Sequence, residues 1–151
     1  MKYIDYKNAR QQEFDSLPLF FAFSNHQFKE AMENRGLTEN DTDQVYSLGM
    51  GAYYLRKDAD VIRAYFDKPD GLKTLMEEDP GFAEDAFEYE LANHEYFINW
   101  EGDYDVCSCF GDCKWDERKT YKDYLKEMGY GEATIRAFTS AVTKLEATWV
   151  Y

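Results

Sequence analysis

Glu90 and His94 have the types and the spacing of two ligands to one metal ion. Residues four apart lie on one face of a helix, so both side chains can reach the same ion. The pair is not the HExxH motif of zinc peptidases, because a second histidine is missing, and a catalytic zinc needs further ligands. His26, Asp103, Asp105 and the cysteines are the candidates. The alternative is structural, since a histidine at a helix end is stabilised by the helix dipole and by acidic neighbours.

Cys107, Cys109 and Cys113 form a second cluster, with CxCxxxC spacing. This spacing differs from the CxxC pairs of zinc ribbons. The three thiols and His94 together make a Cys3His set, and this set is the one route to a structural zinc that the sequence allows. Two alternatives stay open. In the first, the cysteines are small buried side chains on a short helix. In the second, one of them is a catalytic nucleophile, although the sequence shows no oxyanion-binding site to accompany it.

The segment that holds these residues is strongly acidic. Residues 77–116 contain 13 Asp and Glu and a single Lys, which gives this segment a net charge of −12 out of −13 for the chain. The pI near 4.5 argues against direct binding to nucleic acid, because phosphate contacts require Lys and Arg. The charge favours a basic surface on a partner protein. Solubility alone is the other explanation for it.

The length of 151 residues is usual for one domain, and we predict a single domain over residues 1–151. Aromatic residues make up 18% of the chain, so we expect a core rich in rings, and exposed Tyr and Trp favour a homodimer. The sequence lacks the long apolar run of a membrane span and the apolar stretch of a signal peptide. We therefore expect a cytoplasmic protein with reduced cysteines.

Apolar spacing predicts an α+β fold, in which a small, mostly antiparallel sheet packs against several helices and the C-terminal region is helical. Strands are predicted at residues 19–23, 45–48, 52–55 and 96–100. Helices are predicted at residues 5–16, 25–35, 72–78, 81–95, 104–110, 119–128 and 132–148, with one more after Asp58. The glycines around Met50 predict a hairpin turn. A phosphate-binding loop is the alternative, but the third glycine and the lysine of such loops are missing.

Three stretches, FFAFS at residues 20–24, YSLGMGAY at 46–53 and YELANHEY at 89–96, together resemble a known family. It is a domain of unknown function, and its members are small proteins of bacteriophages, conjugative elements and their host bacteria. The likeness covers roughly residues 19–100, and Met50 and Ala52 depart from the Ala and Gly usual in its glycine turn. The resemblance implies no activity. It implies a phage or mobile-element protein that works inside a bacterial cell.

The sequence favours a binding protein over an enzyme. Carboxylates spaced loosely like phosphates can occupy a basic nucleic-acid channel, and so inhibit a host nuclease or defence complex in the manner of an anti-CRISPR or anti-restriction protein. The residues expected to contact such a partner are Glu84, Asp85, Glu88, Glu101, Asp103 and Asp105. The alternative is a metal-binding protein or a metal-dependent hydrolase. Its predicted ligands are Glu90, His94, Cys107, Cys109 and Cys113.

Overall fold

The computed structural model describes residues 1–149, and the chain forms two compact units. Residues 10–69 form one of them, which we call the sheet unit. Residues 1–9 and the chain from Asp70 onward form the other, the helical unit. Helix α1 (Tyr3–Asp15) begins in the helical unit and ends in the sheet unit. The α+β class is confirmed, and the single domain stays a prediction.

The sheet unit is built on three antiparallel strands, with β3 in the centre. These strands are β1 (Leu19–Phe21), β2 (Val45–Gly49) and β3 (Ala52–Leu55). The hairpin predicted at the glycine turn is therefore confirmed. Phe20 and Tyr53 are paired across β1 and β3, so their side chains share one face of the sheet. Helix α2 (Asn25–Glu33) packs on this face through Phe28 and Met32, and helix α3 (Ala59–Asp67) follows β3.

The helical unit has its core between α5 and α8. Phe87 of α5 is fully buried, and its ring lies edge-on to the rings of Phe110 and Phe138, with centroids 4.9 Å apart in both pairs. The helices of this unit are α4 (Leu72–Glu78), α5 (Pro80–Asn93), α6 (Gly102–Cys107), α7 (Tyr121–Glu127) and α8 (Glu132–Thr148). A 3₁₀ turn, Ser108–Phe110, follows α6. None of the helices in residues 1–149 is both long enough and apolar enough to cross a membrane.

The strand predicted at residues 96–100 is wrong, because the chain forms successive turns there. The N–H of Tyr96 donates to the carbonyl of Leu91 at 3.1 Å and closes the end of α5. The N–H of Asn99 then donates to the carbonyl of Glu95 at 3.1 Å. These local bonds satisfy backbone groups that a strand would offer to a neighbour. The aromatic and β-branched side chains of this stretch favour a strand only where such a neighbour exists.

Candidate metal site

The end of α5 carries Glu90 and His94 on one face, as their spacing predicts. His94 Nε2 lies 3.2 Å from Glu90 Oε2. Glu95, the next residue, adopts a left-handed φ of 51°. Glycine usually occupies this position at a helix end, because other residues are strained there. Helix α5 thus ends with His94 at its C-cap and Glu95 in the left-handed conformation that commonly follows a helix end.

Cys109 reaches the same point from the 3₁₀ turn Ser108–Phe110. Its Sγ lies 3.1 Å from Glu90 Oε2 and 3.4 Å from His94 Nε2. Phe110, the next residue, is buried against Phe87 of α5, and this contact anchors the turn to the helix. Three side chains of different chemistry thus present one donor atom each to a common centre.

The three separations suit a metal centre. Protein ligands lie about 2.0–2.3 Å from zinc, so neighbouring ligand atoms in a tetrahedron are about 3.3–3.6 Å apart. The observed separations of 3.1, 3.2 and 3.4 Å differ from these values by no more than about 0.5 Å. In the part of the chain that the structure describes, Glu90, His94 and Cys109 are the one group of three such side chains whose donor atoms lie close enough together to hold a metal ion.

Glu90 is the most buried of the three, with 2% of its surface exposed. Its other oxygen, Oε1, accepts hydrogen bonds from Lys7 Nζ at 3.1 Å and from the Tyr3 hydroxyl at 3.3 Å. Burial by itself raises the pKa of Glu90. The hydrogen bonds from Cys109 and Lys7, with the charges of Lys7 and His94, outweigh burial and lower the pKa. Glu90 is therefore an anionic carboxylate at neutral pH.

Cys109 is a protonated thiol in the metal-free protein. Burial, with the hydrogen bond to Glu90 and the negative charge of that carboxylate, raises the pKa of Cys109 to about 12. Reactive cysteines have the opposite property, a pKa lowered by neighbouring cations. The site therefore does not support a nucleophilic cysteine. A metal ion that displaces the proton converts this thiol into a thiolate ligand.

Cys107 and Cys113 lie outside the cluster. Cys107 is fully buried and its Sγ lies 3.9 Å from the carbonyl oxygen of Tyr121, so it packs as a small core side chain. Burial raises the pKa of both thiols. His26 pairs with Glu30 at 3.2 Å within the sheet unit. In place of the predicted Cys3His set, the structure assembles a carboxylate, an imidazole and a single thiol.

Glu84 and Glu88, two of the carboxylates predicted to contact a partner, lie on α5 and share one cation. Lys144 Nζ of α8 is 2.9 Å from Glu84 Oε1 and 3.4 Å from Glu88 Oε1. Ser140 also donates to Glu84, and its hydrogen bond, with that of Lys144, lowers the pKa of Glu84. Asp85 accepts a hydrogen bond from the first backbone N–H of α1 at 2.7 Å. These carboxylates connect α5 to α8 and to α1.

Asp103 and Asp105, also predicted to contact a partner, lie in α6 and have internal partners as well. The hydroxyl of Tyr96 donates to Asp103, and the side-chain amide of Asn99 donates to Asp105. Glu101 directly precedes α6 and is half-buried. Binding of a partner by any of the six carboxylates stays a prediction.

Sequence reasoning missed Lys7 and Tyr3, the two residues that bind the far oxygen of Glu90. They precede Glu90 by 83 and 87 positions, and no sequence pattern connects segments so far apart. The one available signal is their own spacing, because residues 3 and 7 lie one turn apart on the same face of α1. The position of that face against α5 is a result of packing.

Comparison with known proteins supplies a family and nothing more specific. No curated protein and no solved structure is significantly similar to this chain. The model of a family of unknown function (DUF7659) matches residues 2–128. The matched region contains FFAFS, YSLGMGAY and YELANHEY, and it also includes Lys7 and Cys109. The chain therefore belongs to this family of unknown function.

Proposed function

We propose that this protein binds a zinc ion through Glu90, His94 and Cys109. One observation carries the proposal: a carboxylate, an imidazole and a thiol from two elements converge with separations of 3.1–3.4 Å. Carboxylate oxygen, histidine nitrogen and cysteine sulfur are the donors that zinc takes in proteins. Lys7 and Tyr3 hold the far oxygen of Glu90, and such outer contacts orient the ligand.

The number of ligands favours a reactive site over a purely structural one. Structural zinc sites use four protein ligands, whereas catalytic sites use three and keep the fourth position for water or substrate. The side chain of His94 is 29% exposed, which connects the cluster to solvent. Zinc lowers the pKa of a bound water to near neutrality and so produces a nucleophile. Metal-dependent hydrolysis is the reaction class that this arrangement supports.

Cobalt substitution tests the site directly. The purified protein is stripped of metal with a chelator and titrated with Co²⁺, which occupies the same tetrahedral sites as zinc and absorbs light. We expect a thiolate-to-cobalt charge-transfer band that saturates at one ion per chain. His94→Ala and Cys109→Ser should remove it, and Cys113→Ser, a matched control outside the cluster, should retain it. A wild-type protein without this band would disprove the proposal.

Binding to a protein partner is a second candidate function, and the segment after α5 favours it. Trp100 is 94% exposed and Ile98 is 68% exposed, within the segment of net charge −12. Tryptophan often dominates the energy of an interface, and the surrounding carboxylates complement a basic surface. With the phage or mobile-element context that the family resemblance implies, we infer a basic host protein as partner, of the nuclease or defence class that DNA-mimic inhibitors bind.

A pull-down from bacterial lysate at low and high salt tests this second function. We expect a basic protein that is retained at low salt, is released at high salt and is not captured by Trp100→Ala. Ile4→Ala is a control, because Ile4 is 40% exposed and lies outside the acidic segment. Capture that is insensitive to both salt and Trp100→Ala would refute the second function.

A further inference from the structure

The sheet unit contains a cavity of about 450 Å³ where β1 ends, α2 begins and the β2–β3 turn closes. This volume is within the range of pockets that hold small molecules, which are typically lined by aromatic side chains and a few polar groups. The cavity has that composition. Its principal lining residues are Phe23, Ser24, Asn25, Phe28, Gly51 and Tyr53.

Phe23 provides one wall, and hydrogen bonds fix the backbone beside its exposed ring. The residue is 74% exposed, yet its N–H donates to Gln27 Oε1 at 2.8 Å. The preceding N–H, of Ala22, donates to the carbonyl of Gly51 at 2.9 Å. A Cβ on Gly51 would lie 2.3 Å from Phe23 Cε1, so only glycine lets the ring pack there.

Phe28 and Tyr53 form a second aromatic wall, with ring centroids 5.2 Å apart. Tyr53 also stacks on Phe20, at 5.6 Å, which connects this wall to the core of the sheet unit. The cavity is thus bordered by aromatic rings from the segment after β1, from α2 and from β3. A flat ligand can stack on such faces.

The polar groups of the cavity are uncharged, and two of them are unengaged. Ser24 Oγ accepts the N–H of Gln27 and caps α2. Within residues 1–149, the Asn25 side chain and the Tyr53 hydroxyl have no hydrogen-bond partner. An asparagine amide presents two donor hydrogens and one acceptor, the pattern that recognises the edge of a nucleobase. None of the described lining residues is charged.

We propose that this cavity binds a flat, uncharged heteroaromatic ring of the nucleobase class. The ring stacks on Phe23 and Tyr53, and its polar edge meets Asn25. The lining offers no cation to a phosphate. The ligand is therefore a free base or nucleoside rather than a nucleotide or a nucleic-acid strand. This site is independent of the proposed zinc centre, so either one can fail without the other.

Saturation-transfer NMR and calorimetry with adenosine, guanosine, cytidine and uridine test the proposal. We expect saturable binding of at least one nucleoside with a Kd below about 1 mM. Phe23→Ala should weaken this binding about tenfold or more, since base stacking on an aromatic ring is the contact it removes. Tyr53→Phe, which keeps the ring and removes the hydroxyl, should weaken it less. Phe66→Ala is the matched control, because Phe66 is 55% exposed on α3, outside the cavity.

Four results would overturn the proposal. The first is no saturable binding of any of the four nucleosides to the folded wild type. The second is equal affinity of wild type and Phe23→Ala. The third is tighter binding of adenosine 5′-monophosphate than of adenosine, which would indicate a phosphate site. The fourth is binding of N-acetyltryptophanamide alone, which would indicate a site for a partner's side chain.

Discussion

The substitution Cys109→Ser distinguishes a metal ligand from a hydrogen-bonded core residue. Serine has nearly the same shape, and its hydroxyl can still donate to Glu90 as the thiol does at 3.1 Å. The metal-free variant should therefore lose no more than about 1 kcal/mol of stability. A neutral hydroxyl binds zinc far more weakly than a thiolate, so the main loss should occur only when zinc is present.

The size of that loss follows from the number of ligands. Zinc binding to four-ligand peptides is worth about 10–16 kcal/mol, or about 3 kcal/mol for each ligand. Loss of one ligand then lowers affinity about a hundredfold. At zinc about 100 times the wild-type Kd, binding stabilises the wild type by about 2.7 kcal/mol and the variant by about 0.4 kcal/mol. At about 2–4 °C for each kcal/mol, Tm should rise by about 5–11 °C in the wild type and by about 1 °C in the variant.

Thermal unfolding followed by tryptophan fluorescence measures this difference. Trp100, Trp115 and Trp149 all belong to the helical unit, so the signal reports on the unit that contains the site. Cys113→Ser should match the wild type with zinc and with chelator. Equal zinc-induced shifts in wild type and Cys109→Ser would refute the ligand assignment. A metal-free Cys109→Ser that has lost several kcal/mol would show instead that the thiol is needed for packing.

Three further predictions concern the residues around the site. Lys7→Met should lower metal-free stability by about 2 kcal/mol in urea denaturation, between the values for exposed and buried ion pairs. Calorimetry should show zinc binding weakened about tenfold or more, because the Glu90 carboxylate loses a contact that orients it; unchanged or tighter binding would contradict this. The pKa of Glu84 is lowered in the folded protein by Ser140 and Lys144, so its carboxylate stabilises the fold above the ordinary glutamate pKa and stops doing so as pH falls. Urea denaturation of Glu84→Gln should therefore show a deficit at pH 7 that shrinks at acidic pH, and a deficit independent of pH would exclude this ion pair as its cause. Phe87→Ala should cost about 3–5 kcal/mol in the same assay, and a loss below about 1 kcal/mol would mean that the α5–α8 core does not limit stability.

The helix ends of this chain show where residue type predicts the backbone conformation and where it does not. Gly36 and Gly129 both adopt positive φ just beyond a helix, three positions after the last residue of α2 and two after that of α7, where glycine predicts a stop. Glu95 adopts the same backbone conformation at the end of α5 without the glycine that would mark it. The N–H groups of Ile98 and Asn99 then donate to the carbonyl of Glu95, and these local hydrogen bonds form turns where the sequence predicts a strand.

The cysteine cluster shows a second limit. Spacing groups Cys107, Cys109 and Cys113 together, but residues in α6 and in the following turn point in different directions. Cys107 faces α7, where its nearest polar contact is the Tyr121 carbonyl, and Cys109 faces Glu90. The direction in which a side chain points around a helix axis depends on where the helix begins and how the helix packs. An error of one position in the predicted start of the helix therefore changes which cysteine is predicted to face Glu90.

The sequence by itself determined the α+β class, the helices, the hairpin, the acidic segment and the pairing of Glu90 with His94. All of these depend on residues a few positions apart, whose local geometry is regular. Only the tertiary structure decided that Cys109 joins that pair and that Lys7 supports Glu90. These contacts span 19 and 83 positions. They exist because the turn after α6 and the first turns of α1 pack against α5, and such packing is set by the whole buried core rather than by any local pattern.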